Sequence, residues 1–290
     1  MSSVNIQGAK HSYSLTIPAQ SETQAQFTVA FLHGWMLSQA YWQPLIEQLQ
    51  PDFQCLSYDL RGFGCSEIGD RHEYSLASYA KDLEELLDRL EISQVWLVGH
   101  SLGGAIALWA AHLLSDRVLG VVCLNAGGGI YIKEEFEKFR TAGKIILKLR
   151  PQWLQNFPLV HSQFAKDSVY SPLERQWGKQ RAIDFVSAKY KAAKGTLLDS
   201  TSEEEVHKLP QIVSRLSQPV YFVAGANDKI MEPKYVRHLA SFHSSFNGYG
   251  ENVFELPNCG HMGMLEQTGL LHNLLLNLLV EPVPSSYAYS

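Results

Sequence analysis

One short segment constrains the fold of this chain more than any other. The apolar run Val95–Val98 leads directly into the pattern G-x-S-x-G at Gly99–Gly103, and an alanine- and leucine-rich stretch follows it. Glycines two positions before and after Ser101 leave room for a turn so sharp that the backbone at the serine is strained. The segment therefore predicts a strand, a tight turn and a helix, with the Ser101 hydroxyl projecting beyond the strand end.

The remaining chain alternates short apolar runs with amphipathic stretches. Apolar runs without polar alternation are typical of strands that are covered on both faces. Ser75–Leu90 has leucines and aromatics at helical spacing, whereas Ser12–Ile17 alternates and predicts an antiparallel strand near the start. The class is therefore α/β, a mostly parallel sheet flanked by helices. The predicted parallel strands are Phe27–Leu32, Gln54–Tyr58, Val95–Val98, Leu119–Leu124, Val220–Ala224 and Val253–Leu256.

Residues 128–200 interrupt this alternation. Their pattern predicts three helices, Glu134–Leu149, Pro151–Phe157 and Leu173–Lys194, between two strands of the sheet. Such an insertion is expected to lie over the carboxyl edge of the sheet as a helical cap. We accordingly expect one core formed by residues 1–127 and 201–281, a cap at 128–200, and a loose tail at 282–290.

The predicted cap differs in charge from the rest of the chain. It contains 13 Lys and Arg against seven Asp and Glu, while the whole chain has a formal net charge of −5. A solvated helix surface is the simplest interpretation. The alternatives are an anionic substrate, an acidic carrier protein or peripheral contact with an anionic membrane. Four aromatic residues there can line an acyl pocket or form the cap's own core: Trp153, Phe157, Phe164 and Trp177.

Cysteine usage and hydropathy bear on the compartment. The four cysteines are far apart in sequence, which favours free thiols over a disulfide framework. The first ten residues lack a secretory pattern, and no apolar run approaches the length of a membrane span. We expect a cytoplasmic protein without a transmembrane segment, and the acidic balance argues against nucleic-acid binding. The cysteines are Cys55, Cys65, Cys123 and Cys259.

A serine hydroxyl needs a base and the base needs an acid. His261 follows the last predicted strand in a glycine-containing loop, and Asp228 follows Val220–Ala224 at its carboxyl end. The chain order serine, acid, histidine is typical of one serine-hydrolase architecture. Asn227 carries no charge, and Glu232 lies about one helical turn further along. The predicted catalytic residues are therefore Ser101, Asp228 and His261.

Two backbone N–H groups are needed to stabilise an oxyanion. Leu102 follows the serine and begins the predicted helix, and Trp35 lies in the loop after Phe27–Leu32; their N–H groups are the predicted donors. His33 fits a hydrogen-bonding role in its loop better than that of a second base, and the strand position of His100 argues against a role as base. The residues expected to line the substrate site are His33, Gly34, His100 and Met262.

These features together resemble the α/β-hydrolase superfamily along nearly the whole chain. The resemblance is carried by the His33-Gly34 loop, the Asp59–Ser66 turn, the Gly99–Gly104 turn, Asp228 and the Gly260-His261 pair. It implies a serine hydrolase of carboxylic esters that needs neither a metal nor an organic cofactor. The superfamily carries out many reactions on one fold, so the resemblance does not identify the ester.

Two subfamilies are similar in more detail. Leu32–Trp42 is similar to the corresponding segment of pimeloyl-[acyl-carrier-protein] methyl ester esterases, which hold an acidic carrier protein with basic cap residues; His100 departs from the tryptophan of that family. The menaquinone and phylloquinone pathway synthases eliminate pyruvate with a similar triad, but Ala105 stands where they carry an arginine. Dehalogenases and epoxide hydrolases need an aspartate in place of Ser101. A non-enzymatic binding module on the same fold is the remaining alternative.

Overall fold

The computed structural model describes residues 2–18, 27–70, 72–127 and 133–280. The predicted tail at 282–290 lies outside these ranges, as do the first residues of the predicted cap. No helix within them is long and apolar enough to cross a bilayer. The strands are β1 (Ser2–Ile6), β2 (Ala9–Thr16), β3 (Thr28–Leu32), β4 (Gln54–Tyr58), β5 (Val95–His100), β6 (Val118–Leu124), β7 (Val220–Gly225) and β8 (Val253–Leu256).

The helices fall between and after these strands. Short 3-10 helices occupy Gln39–Trp42, Gln152–Asn156 and Ser244–Phe246. The α-helices are α1 (Gln43–Leu49), α2 (Leu76–Arg89), α3 (Leu102–Leu113), α4 (Lys133–Lys148), α5 (Pro158–Phe164), α6 (Arg175–Ser187), α7 (Tyr190–Ser200), α8 (Glu203–Val213), α9 (Pro233–Ala240), α10 (Gly263–Glu266) and α11 (Thr268–Val280).

The eight strands form one sheet in the order β1-β2-β4-β3-β5-β6-β7-β8. β1 pairs antiparallel with β2, and β2 antiparallel with β4, while all the other pairs are parallel. The predicted α/β class and mostly parallel sheet are therefore confirmed. The sequence analysis missed β1, because a short exposed strand at a sheet edge carries little apolar pattern.

Alternate strand residues enter two hydrophobic clusters, one on each face of the sheet. Ala30 and Leu97 pack on the face covered by α2, α3, α8 and α9, and Phe31 and Val98 pack on the face covered by α1 and α11. This two-sided burial explains why the central strands show apolar runs without alternation. The packing fixes the strand ends rigidly, and the loops that follow them carry the candidate site.

The cap segment, defined here as residues 133–200, differs in detail from its predicted helices. The predicted helix Leu173–Lys194 is two helices, α6 and α7, because Ala188 and Lys189 are extended. The Lys189 N–H donates to the Gly62 carbonyl at 2.8 Å, so a contact with the loop after β4 replaces a helical hydrogen bond. The predicted helix Pro151–Phe157 is a 3-10 helix, and α5 follows it.

The cap segment packs over the loops at the carboxyl edge of the sheet. The indole N–H of Trp35, in the loop after β3, donates to the Ala193 carbonyl in α7 at 2.9 Å. The rings of Tyr41 and Trp177 lie 6.0 Å apart between the core and α6. These contacts place α6 and α7 directly above the loop that is predicted to supply an oxyanion donor.

Asp184 is a buried carboxyl at this junction. Its Oδ2 accepts from Ser38 Oγ at 2.9 Å, and its Oδ1 accepts from Gln180 Nε2 at 3.1 Å. Burial raises the pKa of Asp184 to about 7 despite these hydrogen bonds. The folded protein therefore holds a proton that the unfolded chain releases near pH 4.

The stability that this proton contributes is present below about pH 4 and is lost as the pH rises to about 7. Asp184→Asn, which resembles the protonated carboxyl, should flatten this dependence. The Tm of Asp184→Asn minus that of wild type should increase by roughly 5 °C as the pH is raised from about 5 to about 8. Thermal unfolding at the two pH values measures the effect, with exposed Asp70→Asn as the control. Parallel pH dependence in Asp184→Asn and wild type would contradict it.

Candidate active site

Ser101 lies between the end of β5 and the start of α3. Its backbone has φ 51° and ψ −117°, a combination that a residue with a side chain rarely adopts. Its N–H donates to the Leu124 carbonyl at the end of β6, at 2.9 Å, which ties the turn to the neighbouring strand. The strained turn holds the side chain at the carboxyl edge of the sheet, as the sequence pattern predicts.

The glycines around Ser101 permit contacts that any side chain would block. A Cβ on Gly99 would lie 2.3 Å from the Gly103 carbonyl oxygen, and a Cβ on Gly103 would lie 2.3 Å from the Leu32 carbonyl oxygen. The second contact brings the end of β3, and the loop after it, against the start of α3. The G-x-S-x-G spacing thus sets the distance between the serine and the loop that carries Trp35.

His261 and Asp228 form a hydrogen-bonded pair. Asp228 Oδ2 lies 2.7 Å from His261 Nδ1, and the Asp228 side chain is inaccessible to solvent. Burial alone would raise the pKa of Asp228, but His261 and the N–H groups of Met231 and Ile230 hold it below the ordinary value. An ionised, oriented carboxylate at Nδ1 leaves Nε2 of the imidazole available as a base.

His100 connects the serine turn to the loop that carries His261. The ring centroids of the two histidines are 4.9 Å apart, and His100 Nε2 lies 2.7 Å from the His261 carbonyl oxygen. Burial is the main reason that the pKa of His100 falls to about 3. The neutral ring donates from Nε2, and its opposite edge faces Gly34 in the loop that carries Trp35. His100 therefore contacts both the loop of His261 and the loop of Gly34, and it directly precedes Ser101 in the chain.

The two predicted oxyanion donors lie on adjoining segments. Leu102 is the first residue of α3, where N–H groups have no intrahelical partner. No hydrogen bond among the described residues engages the backbone N–H of either Leu102 or Trp35. Neither N–H group is occupied by another part of the described chain, and their role as oxyanion donors stays a prediction.

The four residues predicted to line the substrate site are all buried. His33 Nε2 accepts from the Leu60 N–H at 2.9 Å, and His33 Nδ1 lies 2.8 Å from the Gly34 carbonyl oxygen. His100 has the contacts described above, and Met262 packs in the cluster beneath the histidine loop. The four residues are thus packed within the protein around the candidate site. Contact with substrate stays a prediction for His33, Gly34, His100 and Met262.

Asn125 is a residue of this site to which the sequence analysis assigned no role. It follows β6 with φ 50°, is fully buried, and donates from Nδ2 to Asp228 Oδ2 at 2.8 Å and to the Gly260 carbonyl at 3.1 Å. One amide group therefore fixes both the acid and the loop of the base. The place directly after a parallel strand was the available signal, because such positions meet at one sheet edge.

Glu266 in α10 holds the backbone on both sides of His261. Its carboxylate accepts from the N–H groups of Gly260 and Met262, each at 3.0 Å, and from the Tyr170 N–H at 2.6 Å. The His261 N–H donates to the Ser168 carbonyl at 2.8 Å. Residues 168–170 of the cap segment and the histidine loop are therefore joined through one carboxylate and one backbone hydrogen bond.

Glu266→Gln should lower kcat by roughly tenfold to a hundredfold and leave KM little changed. A glutamine amide cannot accept all three N–H groups, and an unsatisfied buried donor costs about 1–3 kcal/mol. The histidine would then lose orientation, not contact with substrate. Steady-state kinetics on an ester, together with thermal unfolding, measures both effects. Glu255→Gln, at an exposed position in β8, is the matched control, and equal kcat in the two variants would contradict this role.

Across the residues that the structure describes, no group of three or more His, Cys, Asp or Glu side chains is placed to hold a metal ion. The arrangement combines a projecting hydroxyl, an oriented imidazole and unpartnered N–H groups, which can carry out acyl transfer.

Comparison with known proteins identifies the family to which this fold belongs. Residues 28–268 match the model of a family described as alpha/beta hydrolase fold. A pimeloyl-[acyl-carrier protein] methyl ester esterase of Aliivibrio salmonicida is 26% identical over 218 residues, covering 74% of this chain and 79% of the relative. A 2-succinyl-6-hydroxy-2,4-cyclohexadiene-1-carboxylate synthase of Enterobacter sp. is 28% identical over 259 residues, covering 87% and 91%.

Among solved structures, a thermophilic esterase from Thermogutta terrifontis superposes with a TM-score of 0.75. It shares 19% sequence identity, and the alignment covers 96% of this chain and 98% of the esterase. At this identity the likeness bears on the fold alone. This chain therefore shares its fold with a known esterase.

Proposed function

The chain belongs to the alpha/beta hydrolase fold family, and from that premise we propose that it is a serine hydrolase that cleaves a carboxylic ester through an acyl-enzyme. One observation carries the proposal: Oδ2 of the buried Asp228 lies 2.7 Å from His261 Nδ1. The loop of His261 also contacts His100, which directly precedes Ser101 in its strained turn. An esterase among the relatives supports the same reaction class.

In the first half of the proposed reaction, Ser101 Oγ attacks the ester carbonyl while His261 Nε2 takes the hydroxyl proton. The carbonyl oxygen becomes an oxyanion, which the N–H groups of Leu102 and Trp35 stabilise. Asp228 keeps the imidazole in the required tautomer and stabilises its charged form. The imidazolium then gives its proton to the departing alkoxide, so the alcohol leaves and the acyl group stays on Ser101.

In the second half, a water molecule gives a proton to His261 Nε2 and attacks the acyl carbonyl. The same two N–H groups stabilise the second oxyanion. Its collapse returns the proton to Ser101 Oγ and frees the carboxylic acid. One ester and one water molecule thus give one acid and one alcohol. Ser101 and His261 end the cycle in the protonation states in which they began it.

The test is hydrolysis of p-nitrophenyl esters from acetate to palmitate, followed from the first turnover. The proposal predicts turnover over one range of chain lengths and an initial burst of p-nitrophenol where deacylation is slow. The chain lengths that are cleaved would measure the acyl pocket beneath the cap segment. An absence of turnover on every ester of the series would count against a general carboxylesterase.

The second candidate is a synthase that eliminates pyruvate. The relative from Enterobacter sp. spans more of this chain than the esterase relative does, which favours it. Ala105 stands where the resemblance implies an arginine, which weighs against it. Such an enzyme would not accumulate an acyl group on Ser101, so intact mass during ester turnover separates the two.

A further inference from the structure

We propose that one face of the cap segment binds the surface of an anionic phospholipid bilayer. This cap face consists of six large apolar side chains within fifteen consecutive residues, which run from the last turns of α4 to the start of α5. It also includes the cationic pocket beside them. The apolar residues of the face are Ile145, Ile146, Leu149, Trp153, Phe157 and Leu159.

The apolar residues of the cap face are exposed to an unusual degree. Leu149 is 65% exposed, Trp153 60% and Leu159 73%, and the other three side chains are exposed as well. A single exposed leucine needs no explanation, but a concentration of six indicates a surface that is covered in use. The rings of Trp153 and Phe157 lie edge to face with their centroids 6.0 Å apart, so this part of the face presents one aromatic surface.

Cations predominate in the segment that carries the apolar residues of the cap face. Residues 138–166 contain six Lys and Arg and no Asp or Glu. Lys144 and Lys148 are exposed on α4 next to Ile145 and Leu149. Apolar side chains with interspersed cations are typical of segments that lie in the interface of an anionic bilayer.

A cationic pocket lies at the same face. A cavity of about 460 Å³ is lined by Asn156 and Pro158, the two neighbours of Phe157, and by Arg175 and Lys179 on α6. Arg175 and Lys179 are one helical turn apart, and both are exposed. The carboxylate of Glu174 nearby accepts from Gln176, and does not pair with either cation. Arg175 and Lys179 in this pocket suit the phosphate group of a lipid. With the phosphate bound there, the rings of Trp153 and Phe157 would enter the acyl region of the bilayer.

The bilayer accounts for both properties of the face at once. An acidic soluble protein would pair with the cations of the face. Its acidic groups would not account for the exposure of Leu149 at 65% and of Leu159 at 73%. A phospholipid surface supplies phosphates and hydrocarbon side by side and requires no fixed set of contacts. The face is connected to the candidate site along the chain, because Ser168 follows α5 and its carbonyl accepts from the His261 N–H.

The experiment is flotation of the full chain with vesicles of ether-linked phosphatidylcholine, with and without ether-linked phosphatidylglycerol, at low and at high salt. Ether lipids resist ester hydrolysis, so binding is measured whether or not the proposed hydrolase activity exists. The chain should float with phosphatidylglycerol vesicles at low salt, and less at high salt. Arg175→Gln with Lys179→Gln should weaken binding by about 30-fold, at about 1 kcal/mol for each cation.

The apolar part of the face has its own variant. Trp153→Gln with Leu159→Gln should weaken binding by about tenfold or more, since apolar area no longer enters the acyl region. Two double variants serve as controls that should bind like wild type: Lys81→Gln with Arg215→Gln, and Ile17→Gln with Tyr249→Gln, all at exposed positions outside the cap segment. No flotation, equal loss in the controls, or binding to an acidic acyl carrier protein but not to vesicles would overturn the proposal.

Discussion

Replacing Ser101 with alanine should lower kcat for ester hydrolysis by at least about 10⁴-fold. Without the hydroxyl no acyl-enzyme forms, and removal of the nucleophile in a triad costs about as much as removal of the whole triad. The fold should tolerate the change, because alanine is smaller and the turn is held by the Ser101 N–H and by the flanking glycines. Steady-state kinetics on the best p-nitrophenyl ester measures the effect.

Ser115→Ala is the matched control for that experiment, since Ser115 is exposed beyond the end of α3. Its kcat should equal that of wild type. The thermal unfolding of both variants should also stay close to that of wild type. Activity of Ser101→Ala within about tenfold of wild type would assign the reaction to another nucleophile.

Asp228→Asn should lower kcat by about 10⁴-fold at neutral pH. The amide would present an N–H₂ group to His261 Nδ1, which favours the tautomer with its proton on the wrong nitrogen. It also removes the charge that stabilises the imidazolium during the reaction. Because the side-chain volume hardly changes, kcat should fall far more than KM rises.

The structure adds a refinement to this prediction. Asn125 donates to Asp228 Oδ2, so an asparagine at position 228 would bring two N–H₂ groups together. Some loss of stability is therefore expected, and thermal unfolding must accompany the kinetics. Asp52→Asn, at an exposed position, is the control for the change of charge. A folded Asp228→Asn variant with kcat near that of wild type would show that another group orients His261.

The parts of the fold that the sequence predicted are those with local signals. The strand into Ser101, the small residues of the turn and the helix after it all lie within twenty residues, and their pattern is independent of the rest of the chain. The central strands were recognisable because burial on both faces leaves continuous apolar runs. The chain order of serine, acid and histidine then limited the choice of Asp228 and His261.

The parts that were missed depend on contacts between distant segments. Asn125 contacts Asp228 across 103 positions, and nothing in its immediate sequence marks it. The break between α6 and α7 follows from a hydrogen bond of Lys189 to Gly62 in another loop. Glu266 resembles any acidic residue near a short helix until its three N–H donors are seen together. Tertiary hydrogen bonds decide such positions, and local propensity does not.

The central claim is that Ser101 is an activated nucleophile, and the most direct measurement is intact mass after incubation with a fluorophosphonate, followed by peptide mapping. The account predicts one adduct per chain, located on Ser101, absent from Ser101→Ala and much slower to form in Asp228→Asn. An unlabelled wild-type protein, or an adduct that persists in Ser101→Ala, would contradict it.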